Sequence, residues 1–232
     1  MYGIKLHIWG DFACFTRPEM KAERVSYDII TPSAARGILS AIYWKPQFNW
    51  VIDRIHVLKP IRFAQIRRNE LGSKITSPAK DVMNGGKTAF LGQLIEEDRQ
   101  QRAATVLRDV GYVIEAHVDI TEPENENNSV AKHLEIFKRR ASKGQCFHQP
   151  CLGTREFPAM FELIDGNITD SLCELTEDQK NRVIGWMLHD MVYVADSKGK
   201  CICAHTGKRL SITPHFFFAE MKNGIIEIPA LN

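Results

Sequence analysis

The sequence predicts an α+β fold in which two amphipathic helices alternate with antiparallel strands, ahead of a smaller β-rich region. Two stretches, Thr31 to Lys45 and Ser129 to Gly144, hold apolar residues at helical spacing behind good N-capping residues. Several others alternate apolar and polar residues as half-buried strands do, and Gly, Pro and Asn-Gly pairs separate them.

In chain order, residues 3–9 read as a strand with Ile4, Leu6 and Ile8 on one face and Lys5, His7 and Trp9 on the other. A loop follows from Phe12 to Lys21, mixing aromatics with Arg17 and Lys21. Thr31-Pro32 starts the first helix, because Thr caps and Pro fits the first helical position. Ala35, Ile38, Leu39 and Ile42 form its apolar stripe, while Arg36, Ser40 and Tyr43 lie on another face. Lys45-Pro46 stops it, leaving Tyr43 in the last turn. Val51 to Phe63 is a long strand or a bent pair, with Pro60 marking an edge. The pattern dissolves between about 67 and 100, which reads as a mobile insertion. Ala104 to Thr121 returns to strand, with Gly111 a candidate bulge.

In the second helix, Val130, Leu134, Phe137 and Ala141 recur on one face, and Lys138, Arg139, Arg140 and Lys143 sit where the helix dipole favours cations. A Gly turn at Leu152–Phe157 then opens a strand ending near Leu163. The order β-α-β, insertion, β-α-β is that of a ferredoxin-like (RRM-like) βαββαβ unit, whose helices cover one sheet face only. This unit spans residues 1–165. Residues 166–232 form a β-rich C-terminal region, with a helix or strand at 181–190, strands near 191–195, 200–205, 211–219 and 225–228, and a hairpin signal at Asn223-Gly224.

At 232 residues, 44% hydrophobic and 25% charged, the chain can bury a full core. No apolar run approaches the ~20 residues of a membrane span. The N-terminus has no secretion signal, so a cytoplasmic location and reduced cysteines are expected. Cys146, His148 and Cys151, and likewise Cys201, Cys203 and His205, are zinc-ligating types. Neither set has paired C-x₂-C spacing, and strand alternation explains the second. No metal and no cofactor are expected.

Net charge is only +2, but its signs are segregated. Between 129 and 155, Lys132, Lys138, Arg139, Arg140, Lys143 and Arg155 stand against Glu135 alone. Arg54, Lys59, Arg62, Arg67 and Arg68 follow one another without a carboxylate. Segregation of this kind suggests a basic face for a polyanion. Arg17, Lys21, Arg24, Arg36, Lys45, Arg67, Arg68, Lys138, Arg139 and Arg155 are the candidate contacts to such a polyanion, with Phe12, Phe15 and Trp44 as aromatic stacking candidates.

Lys132 and His133 open the second helix, where unpaired backbone N–H groups attract phosphate. A fixed cation beside a group that titrates near neutral pH suits phosphodiester cleavage. Taken alone, the pair reads first as ordinary residues of a solvated helix surface, and phosphodiester chemistry is the lesser reading.

The Gly-Asp-x-Ala-x-Phe-Thr loop at 10–16, Ile42-Tyr-Trp-Lys-Pro46, Lys132-His133 and Leu152-Gly-Thr-Arg-Glu-Phe157 resemble the CRISPR-associated Cas5d family (subtype I-C, or Dvulg), within the RAMP proteins. The resemblance runs from residue 1 to about 163 and continues more loosely beyond. It implies a metal-independent endoribonuclease that cuts CRISPR repeat RNA at the base of its hairpin. The enzyme then stays on the crRNA 5′ handle beside the backbone and large subunits of a type I-C interference complex (Cascade). It implies Tyr43, Lys132 and His133 as catalytic residues and Gly153 as the RNA-gripping glycine, beside Arg155. The single Gly at that loop and the residues of 67–100 depart from the family pattern. The rival expectation is a non-catalytic subunit that binds the crRNA 5′ handle. A zinc-stabilised binding module is the third.

Overall fold

A computed structural model describes residues 3–73, 84, 94–121, 128–168, 170–202 and 207–231. The strands are β1 (Ile4–Ala13), β2 (Phe48–Val57), β3 (Phe63–Leu71), β4 (Arg99–Ile120), β5 (Met160–Leu163), β6 (Arg182–Ala195), β7 (Cys201–Ile202), β8 (Arg209–Met221) and β9 (Ile225–Glu227). Helix α1 is Pro32–Ile42 and α2 is Val130–Ala141.

The main sheet has the order β5-β1-β4-β2-β9, and every one of its pairings is antiparallel. The 22-residue β4 is its spine. Its C-terminal half lies between β1 and β2, while its N-terminal half pairs with β3, from Phe63 opposite Leu107 to Leu71 opposite Arg99. A second antiparallel sheet has the order β6-β8-β7. The result is a mixed α/β protein, mostly antiparallel. No helix among the described residues is long and apolar enough to cross a membrane.

The core fills the space between one sheet face and the two helices. Leu6, Ile8, Ile55 and Ile114 from the sheet meet Ile38, Leu39 and Ile42 of α1 and Leu134 and Phe137 of α2. Removing each of these side chains from water contributes about 1.5–3 kcal/mol. The opposite face carries the polar partners of the alternation, including His7, His56, Glu115 and His117.

Several expectations are corrected. Residues 67–71 and 99–100 belong to β3 and β4, because the polar alternation of an exposed ribbon hides the strand period. Gly111 is not a bulge: it pairs in register opposite Trp9, and the register shift falls between Ile52 and Arg54 of β2. The 181–190 stretch, read as a helix or a strand, is strand from Arg182 and runs on through the expected separate 191–195 strand as the single element β6. Phe15 is 3% exposed and packs in the core, so it offers no stacking face. The rest of the anticipated insertion (74–83 and 85–93), Glu122 to Asn127, Cys203 and His205 lie outside the described residues. The last strand, β9, returns to pair with β2 in the main sheet.

Candidate active site

The end of α1 and the start of α2 meet over the sheet. Thr31 caps α1, its Oγ1 accepting from the Ala34 N–H. At the other end Pro46 disfavours helical backbone at Lys45, and the chain leaves the helix just earlier. Tyr43 is extended (φ −156°, ψ 127°), although its N–H still donates to the Leu39 carbonyl. It therefore stands outside the last turn, and its side chain is buried in the protein. Its carbonyl accepts from the Trp50 indole N–H at 2.9 Å, and its ring lies 5.6 Å from that of Phe48.

Ser129 caps α2, its Oγ accepting from the Lys132 N–H. One turn in, His133 is buried, three residues after Val130 and four before Phe137 on the same side of the helix. The stripe is wider than the Val130, Leu134, Phe137, Ala141 row: Phe48 of β2 covers the imidazole at 4.6 Å between ring centroids.

Tyr43 Oη lies 2.9 Å from His133 Nδ1, and His133 Nε2 lies 3.0 Å from Asn128 Oδ1. Tyr43, His133 and Asn128 are 3%, 3% and 4% exposed. With Oδ1, an acceptor, facing Nε2, the tautomer that satisfies both contacts carries its proton on Nε2 and accepts the Tyr43 hydroxyl at Nδ1. Burial holds His133 below the ordinary imidazole range, and Lys132 and Lys45 push it further down, so the ring is neutral near pH 7. Burial raises Tyr43, against the opposing charge of Arg140, and keeps its hydroxyl protonated. Arg140 reaches across: its guanidinium lies 5.0 Å from the Tyr43 ring centre and donates to the Ile42 carbonyl, which the end of α1 leaves open. Lys132 is half-buried beside His133.

The remaining sequence candidates divide by what they touch. Lys21, Lys45, Arg67, Lys138, Arg139 and Arg155 are exposed, as is Trp44. Arg17 pairs with Asp28 and lies 4.5 Å over the Tyr27 ring. Arg24 pairs with Glu70 and Glu156, and Arg68 with the same two carboxylates, so this network ties β3 to the Gly153 turn. Arg36 is held by Asp190 of β6. Gly153 is at φ 88°, in the left-handed region, and a Cβ there would collide with the Cys14 carbonyl. A cleft of about 620 Å³ runs between this turn and α1, lined by Ala34, Gly37, Ala41, His148, Cys151 and Arg155 among others. Tyr43, Lys132 and His133 lie outside its lining.

Asn128 and Arg140 were not anticipated as part of the site. Arg140 had a signal, since it follows His133 and Phe137 at i+7 and i+3 on one helix face. Asn128 had none beyond preceding an N-cap.

The sheet, the helix junction and the buried tyrosine–imidazole pair define a class: a mixed α/β protein that holds a lysine, a neutral histidine and a tyrosine hydroxyl together at one end of its helical layer. Residues 3–229 match the Cas5d family, described as CRISPR-associated protein (Cas_Cas5), and the chain belongs to that family. It is 59% identical over 227 residues to the CRISPR pre-crRNA endoribonuclease Cas5d of Mannheimia succiniciproducens, covering 97% of this chain and 94% of the relative. It is 40% identical over 234 residues to the CRISPR pre-crRNA endoribonuclease Cas5d of Thermus thermophilus, covering 99% and 93%. Its fold is similar to that of SMU1763c from Streptococcus mutans, a functionally uncharacterized protein, at TM-score 0.64 and 22% identity over 99% of this chain and 93% of the other.

Proposed function

We propose that this chain is a CRISPR pre-crRNA endoribonuclease that cuts repeat RNA by attack of the ribose 2′-hydroxyl. Membership of the Cas5d family and the activity named for its two relatives support the reading. The single observation that carries the site is the 2.9 Å contact between Tyr43 Oη and His133 Nδ1, which brings together residues 90 positions apart.

The chemistry needs a proton acceptor, a proton donor and a cation near the phosphate. Neutral His133 offers a lone pair at Nδ1, and the Tyr43 hydroxyl occupies the position between that lone pair and an incoming ribose. The 2′-oxygen loses its proton through Tyr43 to His133 and attacks phosphorus. The P–O5′ bond breaks with its electron pair on O5′, which takes a proton from solvent while the His133 imidazolium returns the proton it accepted to solvent. Lys132 and the first amides of α2 stabilise the charge that builds on the phosphate oxygens. The products are a 2′,3′-cyclic phosphate and a 5′-hydroxyl. Because Tyr43 and His133 are 3% exposed, the linkage reaches them only when the groups covering them are displaced. RNA binding must therefore precede assembly of the reacting centre.

The strand order β5-β1-β4-β2, with α1 between β1 and β2 and α2 between β4 and β5, supports a ferredoxin-like unit over residues 1–165. Residues 166–232 would then be a β-rich addition. The stem is gripped by shape and backbone, with Lys45, Lys138, Arg139 and Arg155 among the exposed cations on or beside the two helices and the Gly153 turn. After cutting, the protein stays on the crRNA 5′ handle as a subunit of a type I-C interference complex.

Burial of Tyr43 and His133 favours one second reading, in which the pair only braces α1 against α2 and the chain binds the 5′ handle without cutting. Purified protein incubated with repeat RNA in chelator separates the two. A discrete cut leaving a 2′,3′-cyclic phosphate supports the nuclease, and binding without scission supports the second reading.

A further inference from the structure

We propose that Asn128 is a positioning residue of this centre, holding the His133 imidazole in the tautomer that leaves Nδ1 open to Tyr43. The inference rests on reading Tyr43 and His133 as the cleavage pair. Asn128 precedes the cap of α2, is 4% exposed, and sets Oδ1 3.0 Å from His133 Nε2. A neutral imidazole has one N–H and one lone pair, and the partner at one nitrogen decides which nitrogen has which. With Oδ1 facing Nε2, the proton sits on Nε2, Nδ1 is the acceptor, and the Tyr43 O–H donates to it. Were the amide turned so that its NH₂ faced Nε2, the chain would run backwards. Nδ1–H would donate to Tyr43, and the imidazole would have no lone pair left for the reaction. One amide thus sets the direction of a three-residue hydrogen-bond chain that lies almost wholly out of water.

The charged groups near the ring act the other way. Lys132 on the same helix and Lys45 beyond α1 both disfavour the imidazolium, and Arg140 acts on Tyr43. Among the described residues the charges acting on the ring are these two lysines, with no carboxylate beside them. Asn128 therefore orients the base without charging it, which an aspartate at the same position would not do.

Two variants and one spectroscopic readout test this on the full-length protein. Nitrogen NMR of ¹⁵N-histidine-labelled protein, with His133 assigned by its loss in H133A, reads the tautomer directly. The wild type is expected to show Nε2 protonated and Nδ1 bare. Asn128→Ala is expected to lose that single tautomer and to cut repeat RNA on the order of 10²-fold more slowly, with RNA affinity within about twofold. Asn128→Asp keeps the acceptor and adds a charge that favours imidazolium, so its acid limb of cleavage moves to higher pH. An Asn128→Ala protein that keeps the Nε2–H signature and the wild-type rate overturns the proposal, as does an unshifted acid limb in Asn128→Asp. If Asn128→Ala does not fold, the Asp variant and the wild-type spectrum still decide. If H133A cuts normally, the cleavage reading fails, and the tautomer measurement continues to test what Asn128 does to the ring.

Discussion

Arg36 and Asp190 are joined by two hydrogen bonds, Nε to Oδ2 at 2.7 Å and Nη2 to Oδ1 at 2.9 Å, across 154 residues of sequence. The pair fastens α1 to β6 and so ties the main sheet's helical layer to the second sheet. Asp190 is largely buried and also accepts from the Met191 N–H. Arg36→Ala would leave that carboxylate short of its partner at a cost of about 2 kcal/mol. Thermal unfolding should shift down by roughly 4–8 °C, while the salt dependence of RNA binding stays as in the wild type. A flatter salt slope with an unchanged melting point would place Arg36 on the RNA instead.

Cleavage should depend on the buried pair far more than binding does. His133→Ala is expected to slow cutting by ~10²–10⁴-fold and leave RNA affinity largely intact. Tyr43→Phe keeps the ring packing against Phe48 and removes only the hydroxyl, so a comparable loss there isolates proton handling from packing. Single-turnover assays on repeat RNA measure both. An RNA lacking only the 2′-hydroxyl at the cut site should survive uncut, and its scission would rule out the proposed nucleophile.

The pH dependence follows from the neutral imidazole. His133 lies below its ordinary value, so it remains a proton acceptor through neutral pH and is lost as pH falls through that lowered value. The cleavage rate should be flat down to about pH 6.5 and drop on the acid side of it.

Folding stability should follow the same sign. His7, His56 and His133 are all lowered, chiefly by burial, although Glu115 partly opposes this at His56. The unfolded chain then binds more protons, so their contribution is complete above about pH 6.5 and is lost as pH falls through the folded values. Melting curves recorded between roughly pH 7.5 and pH 5 check this, and a constant midpoint over that range would contradict it.

Gly153 should resist any side chain. Its φ of 88° and the Cys14 carbonyl beside it leave no room for a Cβ, so Gly153→Ala should cost about 1–3 kcal/mol or shift the turn. The turn lines the cleft along α1, and repeat-RNA affinity should weaken with it. By contrast, Ala at Lys138, Arg139 or Arg155, all exposed, should spare the melting point and reduce the salt slope of binding by about 1 each. Melting and salt titration of these four variants separate the two effects.

Much of the architecture was legible in the chain because it rests on local rules. Thr31-Pro32 and Ser129 start helices by capping chemistry, Pro46 stops one by excluding helical backbone before it, and the Ile4, Leu6, Ile8 alternation needs only the two-residue strand period. The Tyr43 and Lys132-His133 motifs were visible for the same reason, as short runs of particular residues. What the tertiary structure decided is how these pieces face one another. The β3 strand escaped notice because its residues alternate weakly on an exposed ribbon, and only pairing with the far half of β4 identifies it. Charge in sequence could not tell Lys138, open to solvent, from Arg36, claimed by a carboxylate 154 residues away. Nor could it show that Tyr43 leaves α1 in extended backbone and meets a buried His133 held from behind by Asn128. Hydrogen bonds and ion pairs between distant segments act over a few ångströms, and those distances exist only once the chain has packed.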